Sequence, residues 1–143
     1  MNRCIALLLF LCAFGPAIAA PALPGPVQAE VVRVLDGDTF DVRAQIWVGH
    51  FIETRVRLNG IDTPEIRGKC EGEVQMARAA KSALEKMILQ QPIYLTNIEN
   101  GKYAGRVLAE AANADGADIA TYMIRNGFAR KYDGGKRMGW CHS

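Results

Sequence analysis

Residues 30–61 read EVVRVLDGDTFDVRAQIWVGHFIETRVRLNGI, and this stretch decides the fold. Its first part is rich in β-branched residues and ends at the Asp-Gly-Asp turn 36–38. The parts that follow, 39–48 and 51–61, partly alternate apolar and polar side chains, as half-buried strands do, and a Gly-His turn separates them. The stretch therefore predicts three consecutive strands that form a meander.

Beyond the meander the apolar period lengthens to that of a helix. Apolar residues recur at spacings of three and four over 71–90, with acidic residues near the start, where the helix dipole favours them. The remaining predicted elements are two strands, a short helix and an extended segment, at 93–98, 106–112, 118–126 and 128–132. The order β-β-β-α-β-β-α is the layout of a five-stranded Greek-key barrel of the OB type with two helices, a mainly β fold of the α+β kind. A generic α+β sandwich is the alternative.

The overall composition limits the class of protein. The chain has 143 residues, which suits one domain. Its hydrophobic fraction of 50% is that of a folded protein and excludes a disordered one. A formal net charge of +2 does not by itself indicate a nucleic-acid-binding protein, so a site for a polyanion has to come from local clustering of charge.

Residues 1–19 are predicted to be a secretory signal peptide. Arg3 supplies a short positive region, 5–14 is apolar, and Ala-Ile-Ala at 17–19 is a small-residue cleavage site. An uncleaved anchor is the alternative, but a Gly-Pro pair interrupts the apolar run, and a membrane span needs about 20 apolar residues. We therefore expect a periplasmic or secreted protein with no membrane attachment after cleavage. Its parts would be an extended leader, a folded domain and a C-terminal tail, at 20–28, 29–132 and 133–143.

Acidic residues stand at two of the predicted strand junctions. Asp36 and Asp38 flank the first turn, and Asp62 and Glu65 follow the third strand. Each pair of acidic residues taken alone is typical of a turn without any function, because Asp is common in turns. Together, however, they bring carboxylates to the ends of neighbouring strands, which can converge. Ca²⁺ takes oxygen ligands at flexible geometry, so the pattern indicates a candidate Ca²⁺ site.

Two arginines in strands are candidates for phosphate binding. Alternation along 51–61 places Ile52, Val56 and Leu58 on one face of the third strand and Arg57 on the other. Arg106 opens a later strand. A strand Arg ordinarily belongs to a solvated outer face, but its planar guanidinium is also the best donor to two phosphate oxygens at once.

An exported protein would retain two cysteines, Cys70 and Cys141, in a compartment where a disulfide can persist. One lies just before the first helix and the other in the tail. We predict that they form a disulfide, which would anchor 134–140 against the barrel and hold the loop that bears Glu65; two free thiols are the alternative. A zinc site that adds His142 is disfavoured, because there is no C-x₂-C pair and adjacent ligands would strain a tetrahedral shell.

Three ordered motifs resemble those of the staphylococcal nuclease (thermonuclease) family. They are Asp-Gly-Asp-Thr at 36–39, Arg57 with Asp-Thr-Pro-Glu at 62–65, and Lys102-Tyr103 with Gly-Arg at 105–106. The spacing from Arg57 to 62–65 fits the family pattern, and the resemblance covers nearly the whole chain after the signal. One extra residue, Ala104, lengthens the third motif, and the family's long C-terminal helix has no counterpart.

The resemblance implies an OB-fold, Ca²⁺-dependent phosphodiesterase that acts on DNA and/or RNA and leaves 3′-phosphates. The implied cation ligands are Asp38, Asp62 and, through its backbone carbonyl, Thr63. Behind them, Asp36 would hold a water or orient its loop. The implied catalytic residues are Arg57, Glu65 and Arg106. The implied substrate contacts are Lys102, Tyr103 and Tyr132.

These roles suit the chemistry of the residues. A phosphodiester repels nucleophiles by its own charge, and a cation with two arginines would neutralise that charge. Glu65 lies three residues beyond Asp62, so it would reach a water and act as its general base or orient it. The alternative function is a non-catalytic OB-fold module that binds nucleic acid. The presence of every acid favours catalysis, and we further expect a monomer.

Overall fold

The computed structural model describes residues 21–141 of the chain. The elements, in chain order, are strands β1 (Val27–Asp36), β2 (Thr39–Trp47), β3 (His50–Leu58) and β4 (Ile61–Asp62), helix α1 (Glu71–Ile88), strands β5 (Ile93–Asn100) and β6 (Arg106–Asn113), helix α2 (Ile119–Arg125) and strand β7 (Arg130–Lys131). The predicted signal peptide, residues 1–19, lies outside the described residues, as does His142.

Five of the strands close into a barrel in the order β1-β2-β3-β6-β5. Neighbours in the barrel are antiparallel except β3 and β6, which run parallel and are connected through α1 and β5. A closed barrel leaves no strand edge unpaired. The predicted OB-type barrel with two helices is therefore confirmed, and the sandwich alternative is excluded.

The core fills the barrel and continues to helix α1, which packs against β1. Its largest fully buried apolar side chains include Phe40, Val42, Val56, Leu58, Leu84, Ile88, Ile93 and Leu95. Each such side chain stabilises the fold by about 1.5–3 kcal/mol relative to an exposed one. Ile52, which alternation places on the same face of the strand as Val56 and Leu58, does not share this core. Its side chain is 45% exposed, because the β2–β3 hairpin extends beyond the part of the barrel that the core fills.

The third strand ends earlier than the predicted 51–61. It stops at Leu58, and Asn59 and Gly60 form a turn in which Gly60 has a φ of +79°. Asn59 supports this turn by accepting a 3.0 Å hydrogen bond from the Gly60 N–H through its side-chain oxygen. After the turn, β4 leaves the barrel and pairs with β7 in a separate two-stranded sheet. This break sets Asp62 opposite Arg130, its register partner.

The segment predicted as an extended leader, 20–28, includes residues that pair with the barrel strands. Leu23 and Ile98 exchange two backbone hydrogen bonds of 2.8 Å, and β1 begins at Val27. Leu23 thus extends the pairing of β5 beyond Val27–Ala29, the part of β1 that pairs with it. Helix α1 ends at Ile88, short of the predicted residue 90. Within residues 21–141, no helix is both long and apolar enough to cross a membrane.

Candidate active site

The Asp-Gly-Asp turn between β1 and β2 forms one wall of the site. Asp38 is only 2% exposed, and its Oδ1 accepts a 2.7 Å hydrogen bond from the Thr39 hydroxyl. Gly37 is needed for space: a Cβ there would lie 2.8 Å from the Ala80 Cβ and 3.1 Å from the Thr63 Cβ. Because Gly37 has no side chain, α1 and the Thr63 segment pack directly onto the turn.

Arg57 bridges the two predicted carboxylate turns. Its Nη1 lies 2.7 Å from Asp38 Oδ2, and its Nη2 lies 3.9 Å from Asp62 Oδ1. Nη2 also donates a 3.4 Å hydrogen bond to the Ile61 carbonyl. Asp62 and Thr63 are 4% and 2% exposed. The two strand junctions therefore converge, and the guanidinium neutralises a pair of carboxylates that water barely reaches.

Asp36 belongs to the same turn as Asp38 and is half-buried. Burial raises the pKa of its carboxyl, and the nearby charges of Asp38 and Glu65 raise it further. Hydrogen bonds from backbone N–H groups, including the 3.0 Å bond from Gly37, oppose that rise. Asp36 thus belongs to the acidic cluster but is anchored to its own turn.

Asp62 collects three further partners that the sequence did not reveal. Arg130 Nη2 lies 3.2 Å from Asp62 Oδ2, and the Trp140 indole donates a 3.1 Å hydrogen bond to the same oxygen. Arg137 Nε lies 2.8 Å from Asp62 Oδ1, and Arg137 Nη1 contacts Glu65 Oε1. Partial burial works to lower the pKa of Arg137, but the charges of Asp62 and Glu65 outweigh it and raise the pKa above its usual value.

The predicted disulfide holds the C-terminal tail next to the acidic cluster of Asp62 and Glu65. Cys70 and Cys141 are bonded, with their Cα atoms 6.0 Å apart. Beside them Glu73 is 7% exposed and accepts a 2.9 Å hydrogen bond from the Lys69 N–H, which fixes the start of α1. Gly68 allows this packing, since a Cβ there would lie 2.5 Å from the Glu73 Cγ. The disulfide also uses both cysteines that the zinc alternative required.

The third motif lies on the outer face of the barrel. The β3–β6 register pairs Arg106 with Arg55. Arg106 therefore faces outward on β6, the neighbour of the strand β3 that carries Arg57. Its guanidinium carbon lies 5.0 Å from the centre of the Tyr103 ring, and Lys102 Nζ lies 5.9 Å from the same ring. Arg106 Nε is buried and has no hydrogen-bond partner among the described residues. Neither Lys102 nor Tyr103 contacts the carboxylates.

Tyr132, the last of the predicted substrate contacts, lies in a cleft that Asp62 also lines. Its N–H donates a 3.0 Å hydrogen bond to the Gly60 carbonyl and its hydroxyl donates a 2.7 Å hydrogen bond to the Gly135 carbonyl. It lines a cleft of about 610 Å³ together with Asp62. A second cleft, of about 310 Å³, is lined by Asp62, Glu65 and the tail. Asp62 therefore belongs to both clefts.

The donor set at the junction fits a hard divalent cation. The ligand atoms available are the carboxylate oxygens of Asp38 and Asp62 and the backbone carbonyl of Thr63, all oxygen donors. Asp38 Oδ2 and Asp62 Oδ1 are buried and accept no well-aligned hydrogen bond among the described residues. Arg57 Nη1 lies 2.7 Å from Asp38 Oδ2 and Arg137 Nε lies 2.8 Å from Asp62 Oδ1, so each oxygen has a positively charged partner. A divalent cation bound through these oxygens would take over the neutralising role that the arginines have here.

Comparison with known proteins identifies the family. The sequence model for the family described as "Staphylococcal nuclease homologue" matches residues 55–138. The chain belongs to the staphylococcal nuclease homologue family. The matched region of this family member takes in Arg57, 62–65 and Arg106, and it extends through the tail to Arg137.

Similar proteins carry nuclease names. A protein of Escherichia coli named "Uncharacterized endonuclease" is 28% identical over 133 residues, which is 93% of this chain and 75% of the relative. A protein of the same name from Escherichia coli O157:H7 has the same identity and coverage. Endonuclease YhcR of Bacillus subtilis (strain 168) is 27% identical over 122 residues, 80% of this chain but 10% of that relative.

Membership of the staphylococcal nuclease homologue family confirms the resemblance stated from the motifs. It also confirms the enzyme class: the chain is a nuclease, a hydrolase of phosphodiester bonds, and its substrate is nucleic acid. The family generally uses a divalent metal, in agreement with the oxygen donors at the strand junction.

Proposed function

We propose that this protein is an exported, Ca²⁺-dependent nuclease that hydrolyses DNA and/or RNA by metal-assisted attack of water and leaves 3′-phosphates. The observation that carries the proposal is the convergence of Asp38 and Asp62, both almost fully buried, on Arg57. Buried carboxylates need positively charged partners, and the oxygen donors here would accept a divalent cation as one of them.

In this proposal Asp38, Asp62 and the carbonyl of Thr63 hold the cation. When bound, Ca²⁺ would neutralise phosphate charge and leave positions open for a phosphate oxygen and water. Asp36, half-buried behind the turn, orients the loop that carries Asp38. Mg²⁺ demands shorter bonds and near-ideal octahedral geometry, so it is expected to support little cleavage.

Two arginines would stabilise the charge that develops on the phosphate. Arg57 lies among the carboxylates, and Arg106 faces outward on the neighbouring strand with a buried Nε that has no partner in the described residues. A donor that is already fixed and desolvated costs no reorganisation when charge develops. Arg106 is therefore suited to bind a phosphate oxygen.

Glu65 is the proposed base or orienter of the attacking water. Its side chain is 51% exposed and borders the 310 Å³ cleft, so it faces space where water and substrate can enter. Lys102 and Tyr103, both exposed, and Tyr132, at the larger cleft, are the proposed substrate contacts. Exposed aromatic rings can stack on bases, and Lys102 can pair with a phosphate.

Two features support export. The sequence of residues 1–19 has the pattern of a signal peptide, and the Cys70–Cys141 disulfide is of the kind that persists in oxidising compartments. We therefore place the mature protein in the periplasm or the medium, and we propose separately that it is a monomer.

Digestion of plasmid DNA and of RNA by the purified protein tests the proposal. We expect cleavage with Ca²⁺, little with Mg²⁺, none with a chelator, and products whose 3′-phosphates block extension by a polymerase. Full activity in the chelator would contradict the cation site. Retardation of the nucleic acid in a gel without cleavage would favour the non-catalytic alternative.

A further inference from the structure

The tail segment 134–141, here called the strap, places a positive charge inside the acidic cluster. Arg137 contacts both Asp62 and Glu65, although these carboxylates lie in a distant part of the sequence. Its side chain is 39% exposed, whereas that of Asp62 is 5% exposed. The guanidinium therefore enters the cluster from the solvent side and neutralises charge that the protein has buried.

The strap is held in place at several points, so the position of Arg137 is not that of a loose terminus. Cys141 is bonded to Cys70. Arg130 donates a 3.1 Å hydrogen bond to the Gly139 carbonyl and a 2.7 Å bond to the Met138 carbonyl. Its guanidinium also lies 3.7 Å from the centre of the Trp140 ring. Because the strap is tethered, Arg137 acts at the high effective concentration of an intramolecular ligand.

Arg137 and a divalent cation compete for the same oxygen. Arg137 Nε lies 2.8 Å from Asp62 Oδ1, one of the buried oxygens without a well-aligned hydrogen bond in the described chain. A cation bound through that oxygen would meet the positive guanidinium at close range, and like charges in a site that is poorly reached by water repel strongly. Arg137 therefore cannot keep its position beside Asp62 Oδ1 when a cation is bound to that oxygen.

We propose that Arg137 is the resident counterion of Asp62 and Glu65, and that it must leave before the divalent cation binds. This inference rests on the proposed cation site. Arg137 is then a residue that sets the cation affinity, and the strap couples cation binding to the disulfide. If the bridged state outweighs the open state about ten to one, the apparent affinity for the cation is about tenfold weaker than that of the open site.

Trp140 provides a direct signal of the exchange. Its indole is bonded to Asp62, so departure of the strap would change its surroundings. The chain has 2 Trp, and Trp47 is 74% exposed at the tip of the β2–β3 hairpin. In a Trp47→Phe background, Trp140 is the sole tryptophan. Ca²⁺ titrated into this protein should shift the Trp140 emission to longer wavelength, with a midpoint equal to the dissociation constant from calorimetry.

The decisive comparison is Arg137→Ala against Lys136→Ala, measured by calorimetry with Ca²⁺. Lys136 is the adjacent residue, is exposed, and makes no ion pair within residues 21–141. Both changes remove one positive charge. We expect Arg137→Ala to bind Ca²⁺ about tenfold more tightly and Lys136→Ala to stay within about twofold of the unmodified protein.

A second variant tests the tether. Cys141→Ser frees the strap while keeping Arg137, and we expect its Ca²⁺ affinity to rise toward that of Arg137→Ala, with circular dichroism confirming the fold. Equal affinities in all variants, an equal gain in both charge variants, or an unchanged Trp140 emission on saturation would overturn the inference. If Ca²⁺ binds with equal affinity and cleavage still needs it, the proposed function stands without this inference. If Ca²⁺ binds to no variant, both are wrong.

Discussion

Arg57 Nη1 lies 2.7 Å from Asp38 Oδ2, and the two side chains are only 13% and 3% exposed. This contact joins the third strand to the turn between the first two, so one ion pair serves both the fold and the candidate site. Breaking a buried pair leaves a charge that water cannot reach. The two predicted catalytic arginines should therefore behave differently when they are removed.

We expect Arg57→Ala to lose cleavage and stability together, and Arg106→Ala to lose cleavage alone. Each should lower the cleavage rate by at least about 10²-fold, as removal of a transition-state donor does. Only Arg57→Ala should lower the free energy of unfolding strongly, by about 3–5 kcal/mol. Cleavage assays and urea denaturation measure the two effects.

The matched controls for these variants are Arg43→Ala and Arg78→Ala, both exposed in the structure. Arg43 lies over the Phe51 ring on the hairpin, away from the carboxylates. Both controls should retain near-normal cleavage. If Arg106→Ala also retained most of its activity, the assignment of Arg106 across the extra residue of its motif would be wrong.

Glu65→Gln keeps the size of the side chain and removes its charge. We expect a large fall in kcat with little change in KM, because the proposed role concerns the attacking water and not the substrate. Steady-state kinetics on a short oligonucleotide, together with Ca²⁺ affinity from calorimetry, separate these quantities. A variant whose only defect was weaker binding of substrate or Ca²⁺ would contradict the role.

Loss of the Cys70–Cys141 disulfide should lower the melting temperature. The bond closes a loop with a sequence separation of 71 residues, for which the chain-entropy treatment gives a stabilisation of roughly 4 kcal/mol. Calorimetry of the oxidised protein, the reduced protein and Cys70→Ser/Cys141→Ser measures the effect. Intact mass before reduction is the control: two alkylatable thiols in protein exported through an oxidising compartment would show that the bond does not form.

Asp41 should make stability depend on pH in the acid range. The hydrogen bond from Arg55, with that from Arg33, holds the pKa of Asp41 below its usual value of 3.8. A carboxyl whose pKa is lowered by folding adds stability above the unfolded pKa, and this stability is lost as pH falls through the folded pKa. Asp41→Asn should lower the melting temperature at pH 7, and the difference should vanish well below pH 3.8.

The size of this effect should be modest, about 1 kcal/mol or less, because Asp41 and its partners are partly exposed and screened by salt. Asp41 bonds to Arg33 and Arg55, neither of which has a proposed catalytic or cation-binding role, so Asp41→Asn should cleave nucleic acid normally at neutral pH. A difference between the two melting temperatures that grew in acid would contradict the sign of the pKa shift.

The helices and strands and their order could be predicted because the periodicity of apolar residues depends only on residues that are near one another in the sequence. Alternation over 39–48 and the spacing of three and four over 71–90 identified strands and helix within a few residues of their observed ends. The exceptions have local causes as well. The turn at Gly60 cuts the third strand short, and the hairpin that bears Ile52 reaches beyond the core.

The sequence by itself determined the family motifs, the acidic residues at two strand junctions and Cys70 with Cys141 as the candidate disulfide, since these follow from residue types, strand junctions and the number of cysteines in an exported chain. Only the tertiary structure decided that Arg130, Arg137 and Trp140 meet Asp62. Arg130 and Trp140 lie 68 and 78 residues from it in sequence. A surface arginine leaves no periodic pattern in the sequence from which its partner can be predicted. Closure of the barrel, the β4–β7 pairing and the disulfide bring these side chains to a buried carboxylate, which stabilises the charge of the two arginines and accepts the hydrogen bond of the indole.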